Sequence, residues 1–264
     1  KEITKEIEKQ QIKGPSGNLV QIEIFVHGAL CMAVSGKCYM SLHTSNSSAN
    51  RGACIQNCRK TYTVTDKEDG HQFDIDNEYI MSAKDLCTIG FLDQVLDSGV
   101  NILKIEGRGR SPEYVKTTAQ CYREAADAYL EGRYNKEKVK GWINKLESVY
   151  NRSFWDGYYL GQKLGEWTEI HGSKATKKKI YLGKAKNYFT KIQVAEFDLE
   201  TQHLKEGDNI LITGRTTGIV ETVAGEIRLN DKQVKSVKKG DNFSMRLDHI
   251  VRPSDKLYKI VNIK

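Results

Sequence analysis

Apolar and polar residues alternate in short runs near both ends of this chain, with helical periodicity between them. The runs QIEIFVHG (21–28), YIMSA (79–83) and VNILKIEG (100–107) have the period of strands. The first leads into cysteine-bearing loops. The second leads into KDLCTIGFLDQVLDSG and the third into SPEYVKTTAQCYREAADAYLEG, both with apolar residues at helical spacing. Strand, helix, strand, helix in this order predicts parallel pairing. Gly99 is placed to end the first helix, while Ser111 as cap and Pro112 in the first turn start the second. Tyr114, Thr118, Tyr122, Ala125 and Tyr129 share one stripe of that helix, a packing surface rather than an aromatic box.

Helical character continues after Gly132 to about Val149, and the Gly and aromatic segment NRSFWDGYYLGQKLGEW that follows has no period. A lysine-rich connector, GSKATKKKIYLGKAKNYF, then precedes a change of style. From about Ile180 the runs IQVAEFDL, NILITGR, TGIVETVAGEIRL, FSMRLD and KLYKIV are separated by Gly, Asp and Asn, which predicts a small antiparallel β-barrel. The fold class expected is α/β followed by all-β, with residues 1–172 as one domain and 173–264 as a second.

The 264 residues suffice for either one large or two smaller cores. Lys and Arg total 41 against 34 Asp and Glu, a net charge of +7 that suits a polyanion partner without requiring one. No run of about 18 apolar residues exists, and the start lacks the order of a signal peptide, so a soluble, cytoplasmic chain with no membrane partner is expected. That start, KEITKEIEKQ, has no initiator Met and reads as an exposed helix following an earlier segment. The chain is therefore expected to be the C-terminal part of a longer protein.

Six cysteines carry the candidate chemistry: Cys31, Cys38, Cys54, Cys58, Cys87 and Cys121. A disulfide framework belongs to small secreted domains, and nothing in this chain marks it as one. Cys121, in mid-helix beside the apolar stripe, reads as an inert core residue. Cys31 and Cys38 fall in a Gly-containing loop just past a strand, and Cys54 and Cys58 lie in RGACIQNCR, between arginines that favour thiolate. Cys87 is expected in the first turn of its helix, where the dipole lowers a thiol pKa. Thiolates gathered from separate loops suit structural zinc or an iron-sulfur cluster, and their spacing does not choose between these and reduced structural cysteines.

Period two also places Glu23, Phe25 and His27 on one face of the first strand, and sets Lys104 and Glu106 against Leu103 and Ile105 on the third. Ser82 and Lys84 repeat the pattern at the end of the second. Polar residues gathered at the ends of parallel strands mark where α/β folds build sites. The bland alternative makes His27 a hydrogen-bonded structural histidine and Lys104 and Glu106 an internal salt bridge. With Arg108 and Arg110 included, the set reads as an anion pocket.

The order Glu-x-Phe-x-x-Gly-Ala-Leu-Cys, four residues, Gly-x-Cys-x-Met-Ser is complete from Glu23 to Ser41. It resembles the defining pattern of the collagenase-like peptidase family of unassigned mechanism. The runs ANRGACIQNCRKTY, YIMSAKDLC, ILKIEGRGRSPEYV and YNRSFWDGYYLG, with RPSDKLYKI near the end, resemble that family's tRNA-hydroxylating branch. The resemblance implies hydroxylation without molecular oxygen, with prephenate as oxygen donor and a 4Fe-4S cluster as cofactor. The substrates implied are tRNA wobble uridine, converted to 5-hydroxyuridine, or in a sister branch an rRNA cytidine. It implies Cys31, Cys38, Cys54 and Cys87 as ligands, with Cys58 able to replace one of them. It also implies that the first domain is the C-terminal part of a TIM-like (β/α) barrel, here about its last three βα units.

A dianionic donor needs cationic partners, roles open to Arg59, Lys104 and Arg108, while His27 or Glu23 handle protons and Glu106 shares the same strand end. Lys177, Lys178 and Lys179, with Lys174, Lys184 and Lys186, are the electrostatic candidates for binding tRNA; the electron donor is not identified by any motif. Two other classes compete with the hydroxylase. A peptidase would use a nucleophile such as Cys31 with His27, although no HExxH occurs. A non-catalytic RNA-binding protein would bind tRNA equally well without any cluster.

Overall fold

The computed structural model describes residues 1–31, 33, 37–75, 82–107, 109–169 and 172–263. The chain divides into two compact units, Lys1–Ala175 and Thr176–Lys264.

The first unit is mixed α/β. Its central sheet has the order β5-β1-β4-β6, built from β1 (Glu23–Ala29), β4 (Asp85–Cys87), β5 (Ile102–Ile105) and β6 (Phe154–Trp155). A separate hairpin pairs β2 (Tyr62–Thr65) with β3 (Gln72–Ile75), and two short helices, α1 (Glu2–Lys9) and α2 (Tyr39–Ser45), precede it in the chain. β1 and β5 are parallel, as their pattern predicts, and so are β4 and β6. β4 corrects the expected topology, because it runs antiparallel to β1, with His27 opposite Cys87 and Ala29 opposite Asp85. The expected strand at 79–83 lies largely outside the described residues, and Ala83 makes only an isolated bridge to Trp167.

The following helix is also shorter than its periodicity suggests. Residues Asp85–Cys87 are all buried and pair as a strand, and α3 covers only Leu92–Asp97. A three-residue strand buried on both faces has no alternation to read, and its apolar residues merge with those of the helix after Gly90. The helices α4 (Pro112–Leu130) and α5 (Lys136–Glu147) are separate, with Asn135 capping the second through its side chain. Tyr114, Thr118, Cys121, Tyr122 and Ala125 of α4 are buried, and the core joins the last three of these to Val26, Ile89, Leu92, Trp142 and Leu146. Burying such side chains contributes roughly 1.5–3 kcal/mol each, so α4 and α5 are held mainly by their apolar faces.

On β1, Ile24 and Val26 pack into this core while Glu23 and Phe25 are exposed, so the inward face is the apolar one. A bulge in the pairing with β5 lies between Phe25 and His27 and breaks the alternation, and His27 is buried. The next residue explains its own identity. Gly28 has φ +125°, and a Cβ on it would lie 2.7 Å from both Cβ and the carbonyl oxygen of Glu106. Only glycine lets β1 approach the end of β5 this closely, where Glu106 N–H donates to the His27 carbonyl at 2.8 Å.

The second unit is antiparallel. Eight strands follow the order β11-β10-β16-β7-β8-β15-β12-β13, namely β7 (Lys177–Phe189), β8 (Val194–Leu199), β10 (Asn209–Gly214), β11 (Gly218–Val223), β12 (Ile227–Leu229), β13 (Lys232–Val234), β15 (Asn242–Arg246) and β16 (Lys256–Asn262). β9 (His203–Lys205) pairs with β14 (Ser236–Lys238) alongside. Phe197, Phe243, Leu182, Ile212 and Leu257 are among the buried core of this unit. The lysine-rich connector is corrected here: most of it is β7, paired with β16 on one side and β8 on the other. Lysines mask its alternation, but Leu182 and Ala185 are buried. Gly183 allows the pairing, since a Cβ there would strike the carbonyl oxygen of Asp198. Both large sheets have free ends in their strand order, and no closed barrel is formed among the described residues.

Candidate functional site

The antiparallel course of β4 determines where the site lies. Parallel β1 and β5 end at the same edge of the sheet, and β4 and β6 begin there. The edge therefore collects Leu30 and Cys31 after β1, Glu106 and Arg110 after β5, the approach Ser82–Asp85 to β4, and Tyr150–Ser153 before β6.

Four cysteines are associated with this edge. Cys31 and Cys54 are exposed, while Cys38 and Cys58 are partly buried, and all six cysteines of the chain are free thiols. Cys31, Cys38 and Cys54 lie close enough to Cys58 for their charges to disfavour its thiolate. Burial raises the Cys58 pKa further and outweighs the lowering by Arg59, so the flanking arginine does not leave it an activated thiolate. Backbone N–H groups donate to two of the sulfurs, Ala33 to Cys31 Sγ at 3.3 Å and Ser41 to Cys38 Sγ at 3.4 Å. The Cys38 pKa is lowered, chiefly by its hydrogen bonds from Ser41. Thiol donors with N–H···S contacts are the donor chemistry of an iron-sulfur site, so this set fits one. The thiols are not drawn onto one centre, since no group of three His, Cys, Asp or Glu is arranged to hold a metal among the described residues.

Cys87 is placed elsewhere. It lies in β4, not in a helical first turn, packed in the core with Val26, Ile89 and Tyr122. Burial pushes its thiol up to about 11, the opposite of what a helix dipole would do. Tyr122 Oη lies 3.8 Å from its sulfur. Cys121 is a buried core thiol, pushed to about 11 by the same cause.

His27 sits between rings of Tyr114, Tyr122 and Phe154, with Nδ1 3.4 Å from Tyr122 Oη. Burial first, and the charge of Arg110 second, lower its pKa to about 3. It is a neutral imidazole at pH 7 and cannot act as an imidazolium acid. The unfolded chain regains a pKa near 6.5, so below that value the unfolded state binds the extra proton. Stability from neutral His27 is full above about pH 6.5 and is lost as pH falls towards 3, with a limiting slope of about 1.4 kcal/mol per pH unit. Urea unfolding of the His27→Gln variant between these limits should show a shallower pH dependence than the parent; equal slopes would reject the buried neutral state.

Glu23 and Lys104 form an exposed pair, Oε1 to Nζ 2.7 Å, with Lys104 also 5.0 Å above the Phe25 ring. The internal pairing of Lys104 with Glu106 is replaced by this contact, because Phe25 is opposite Lys104 and Glu23 is two residues away. Exposed pairs of this kind contribute about 1 kcal/mol at most, and the geometry does not carry Glu23 or Lys104 to the cysteines. Glu106 stays at the site edge, its carbonyl accepting from Tyr114 Oη at 3.1 Å. Arg108 lies outside the described residues.

Arg59 is the best supported of the expected anion partners, and it is already engaged. Nη1 donates to Ser82 Oγ at 3.1 Å and to the Ala83 carbonyl at 2.6 Å, and Nη2 to the Leu30 carbonyl at 3.1 Å. It thereby ties the loop carrying Cys31 to the segment carrying Cys58. Two residues beside it, Asp85 and Arg152, lie within the runs YIMSAKDLC and YNRSFWDGYYLG, which by themselves assign them no role. Arg152 Nη2 donates to Gln56 Oε1 at 3.2 Å, between the paired cysteines, and its backbone N–H donates to Asp85 Oδ2 at 3.1 Å. A further signal in the sequence is a charged residue inside each short apolar run, AKDLC and NRSFW.

In the second unit Lys177 and Lys178 are exposed, while Lys179 lies 5.1 Å from the Tyr258 ring centre. Lys184 and Lys186 pair with Glu200 and Glu196, at 3.1 and 3.5 Å, so part of the lysine charge is compensated. No helix among the described residues is long and apolar enough to cross a membrane.

Comparison with known proteins agrees with the motifs. The profile of peptidase family U32 matches residues 2–169. A protein named collagenase from Porphyromonas gingivalis strain W83 is 55% identical over 96% of this chain, which spans 61% of that relative's length. The tRNA hydroxylation protein P1 of Bacillus subtilis is 32% identical over 78% of this chain and 51% of its own length. The 23S rRNA 5-hydroxycytidine C2501 synthase of Escherichia coli is 32% identical over 75% of this chain and 30% of its own. With its signature motifs lining one edge of the α/β unit and the profile matching most of that unit, the chain belongs to peptidase family U32.

Proposed function

We propose that this protein takes part in oxygen-independent, prephenate-dependent hydroxylation of tRNA wobble uridine to 5-hydroxyuridine. The grouping of Cys31, Cys38 and Cys54 around Cys58 carries the reading, together with the kinship to proteins named for tRNA and rRNA hydroxylation. Cys31, Cys38, Cys54 and Cys58 would hold a 4Fe-4S cluster, with Cys58 rather than Cys87 as fourth ligand. When bound, such a cluster supplies the electron-transfer chemistry that side chains lack. Arg59 and Arg152 hold the two cysteine-bearing segments against the sheet edge.

The same proposal takes the first unit as part of a (β/α) barrel. RNA is engaged through the exposed lysines at the start of β7, with Tyr258 beside Lys179 as an aromatic surface. Cytoplasmic residence follows from this substrate.

Peptidase activity is the second reading, favoured by the name of the 55% identical relative. One assay separates the two. Anaerobically prepared protein is incubated with undermodified tRNA, with and without prephenate, and the nucleosides are analysed by mass spectrometry; gelatin is supplied in parallel. Gain of one oxygen at the wobble uridine only with prephenate supports hydroxylation. Gelatin cleavage by metal-free protein, abolished in Cys31→Ala and with no tRNA product, would replace it with the peptidase.

A further inference from the structure

We infer that the outer face of the β9–β14 ribbon binds the phosphate backbone of an RNA stem, through Lys205 and Lys238 placed by an internal two-fold repeat. This rests on RNA being a partner, but neither on the cluster nor on hydroxylation. The ribbon is a sheet separate from β7, and a paired stem is a different ligand from the bases that would stack on Tyr258.

The basic excess of the chain belongs wholly to the second unit. Residues 176–264 carry 18 Lys and Arg against 11 Asp and Glu, a net charge of +7, whereas residues 1–175 carry 23 of each. Within the second unit Lys184, Lys186, Arg228 and Lys259 are paired with carboxylates. Lys205, Lys235, Lys238 and Lys239 are exposed and make no ion pair among the described residues. Unpaired cations grouped on one face create the positive potential that draws a polyanion.

The ribbon is built from two copies of one pattern, Leu-Lys-Glu-Gly-Asp-Asn-Ile at 204–210 and Val-Lys-Lys-Gly-Asp-Asn-Phe at 237–243. Both fold alike. Each Asp side chain accepts from the backbone N–H of the lysine three residues earlier, Asp208 from Lys205 and Asp241 from Lys238, both at 2.8 Å. Gly207 and Gly240 take φ of +85° and +95°, and each donates its N–H at 2.8 Å to the end of another strand, at the Ala224 and Leu199 carbonyls. Leu204 and Val237 are buried opposite each other and mark the axis relating the copies. Pairing about that axis sets Lys205 opposite Ser236 and Lys238 opposite His203. Side chains alternate, so these four exposed residues share the outer face, with the two lysines on a diagonal of about 7–8 Å. The nearby carboxylates are otherwise engaged: Asp208 also accepts from Lys259, and Glu206 accepts from the Ile227 N–H and from Gln233.

The chemistry of this face selects its ligand. Lysine is a point charge suited to phosphate, without the planar fork that reads a base edge or a carboxylate. The four outer residues include no Phe, Tyr or Trp on which an unpaired base could stack. The two backbones of a nucleic-acid duplex are themselves related by two-fold axes, so a two-fold pair of lysines addresses both strands alike. Lys235 and Lys239, whose counterparts in the first copy are Gln202 and Glu206, extend the contact to one side.

Fluorescence anisotropy of a labelled RNA hairpin with a fully paired stem, titrated with the intact protein, tests this. Competitors are the unlabelled hairpin, oligouridine of equal length and phosphatidylserine vesicles. The hairpin should compete more strongly than either of the others. Lys205→Gln combined with Lys238→Gln should weaken hairpin binding about tenfold at low salt and lower the slope of log K against log salt by about two. Lys136→Gln on α5 should change neither. Circular dichroism checks folding, and Lys235→Gln with Lys239→Gln, expected to weaken binding in the same direction, replaces the pair if it does not fold. Parental affinity and slope in a folded double variant would overturn the site, as would oligouridine or vesicles competing as well as the hairpin. Binding of tRNA lost in Lys177→Gln with Lys178→Gln, yet kept without Lys205 and Lys238, would leave RNA as a partner and remove the ribbon from it. Hairpin binding that depends on Lys205 and Lys238, in a protein that never hydroxylates tRNA, would defeat the proposed reaction and leave this site standing.

Discussion

Anaerobically reconstituted Cys31→Ser protein is expected to lose its iron and acid-labile sulfide, with the broad visible absorption of the parent. The same loss is expected for Cys58→Ser, and no loss for Cys87→Ser. Cys31, Cys38 and Cys54 act on Cys58 and have the exposure needed to meet an incoming group, whereas the Cys87 thiol is buried in the core and held protonated. A thiolate ligand must first lose its proton, which the surroundings of Cys87 oppose. Iron and sulfide analysis on the three variants is decisive because a missing ligand is close to all-or-none. Loss of iron from Cys87→Ser with retention in Cys58→Ser would reverse the assignment and require β4 to rearrange on metal binding. An iron-free parent would remove the cluster from the proposal altogether.

Asp85→Ala is expected to destabilise the first unit by roughly 3–5 kcal/mol, the range for deleting one partner of a buried ionic group. The substitution leaves the buried Arg110 and Arg152 side chains without the carboxylate that both approach, and removes the acceptor of the Arg152 backbone N–H. Asp85→Asn keeps an acceptor for that N–H and should lose less. Urea unfolding followed by circular dichroism measures both. An Asp85→Ala midpoint within error of the parent would show that the arginines are hydrated or otherwise neutralised, contrary to their burial.

Periodicity alone makes several elements legible. β1 and β5, their parallel pairing, the stripe of α4 and most strands of the second unit all follow from local alternation or helical spacing. The cysteine loops are likewise visible, because glycine and cysteine cluster just beyond a strand end. Patterns fail where an element is too short or too charged to show a period. β4 spans three residues and merges with the neighbouring helix in the apolar pattern, and β7 is hidden by its lysines.

Residue types and local order settle which groups are available: five cysteines outside the long helices, a basic excess, and strands that end in polar residues. Tertiary pairing decides which of them meet. The reversal of β4 brings Asp85 to Arg152 across 67 positions of chain, and places Cys87 in the core rather than among the loop thiols. The bulge at His27 and the contact of Gly28 with Glu106 turn a histidine whose spacing suggests a proton carrier into a buried neutral one. Local sequence encodes backbone preference over a few residues, whereas charge compensation and desolvation depend on neighbours contributed by distant segments, and these set the chemistry of the site.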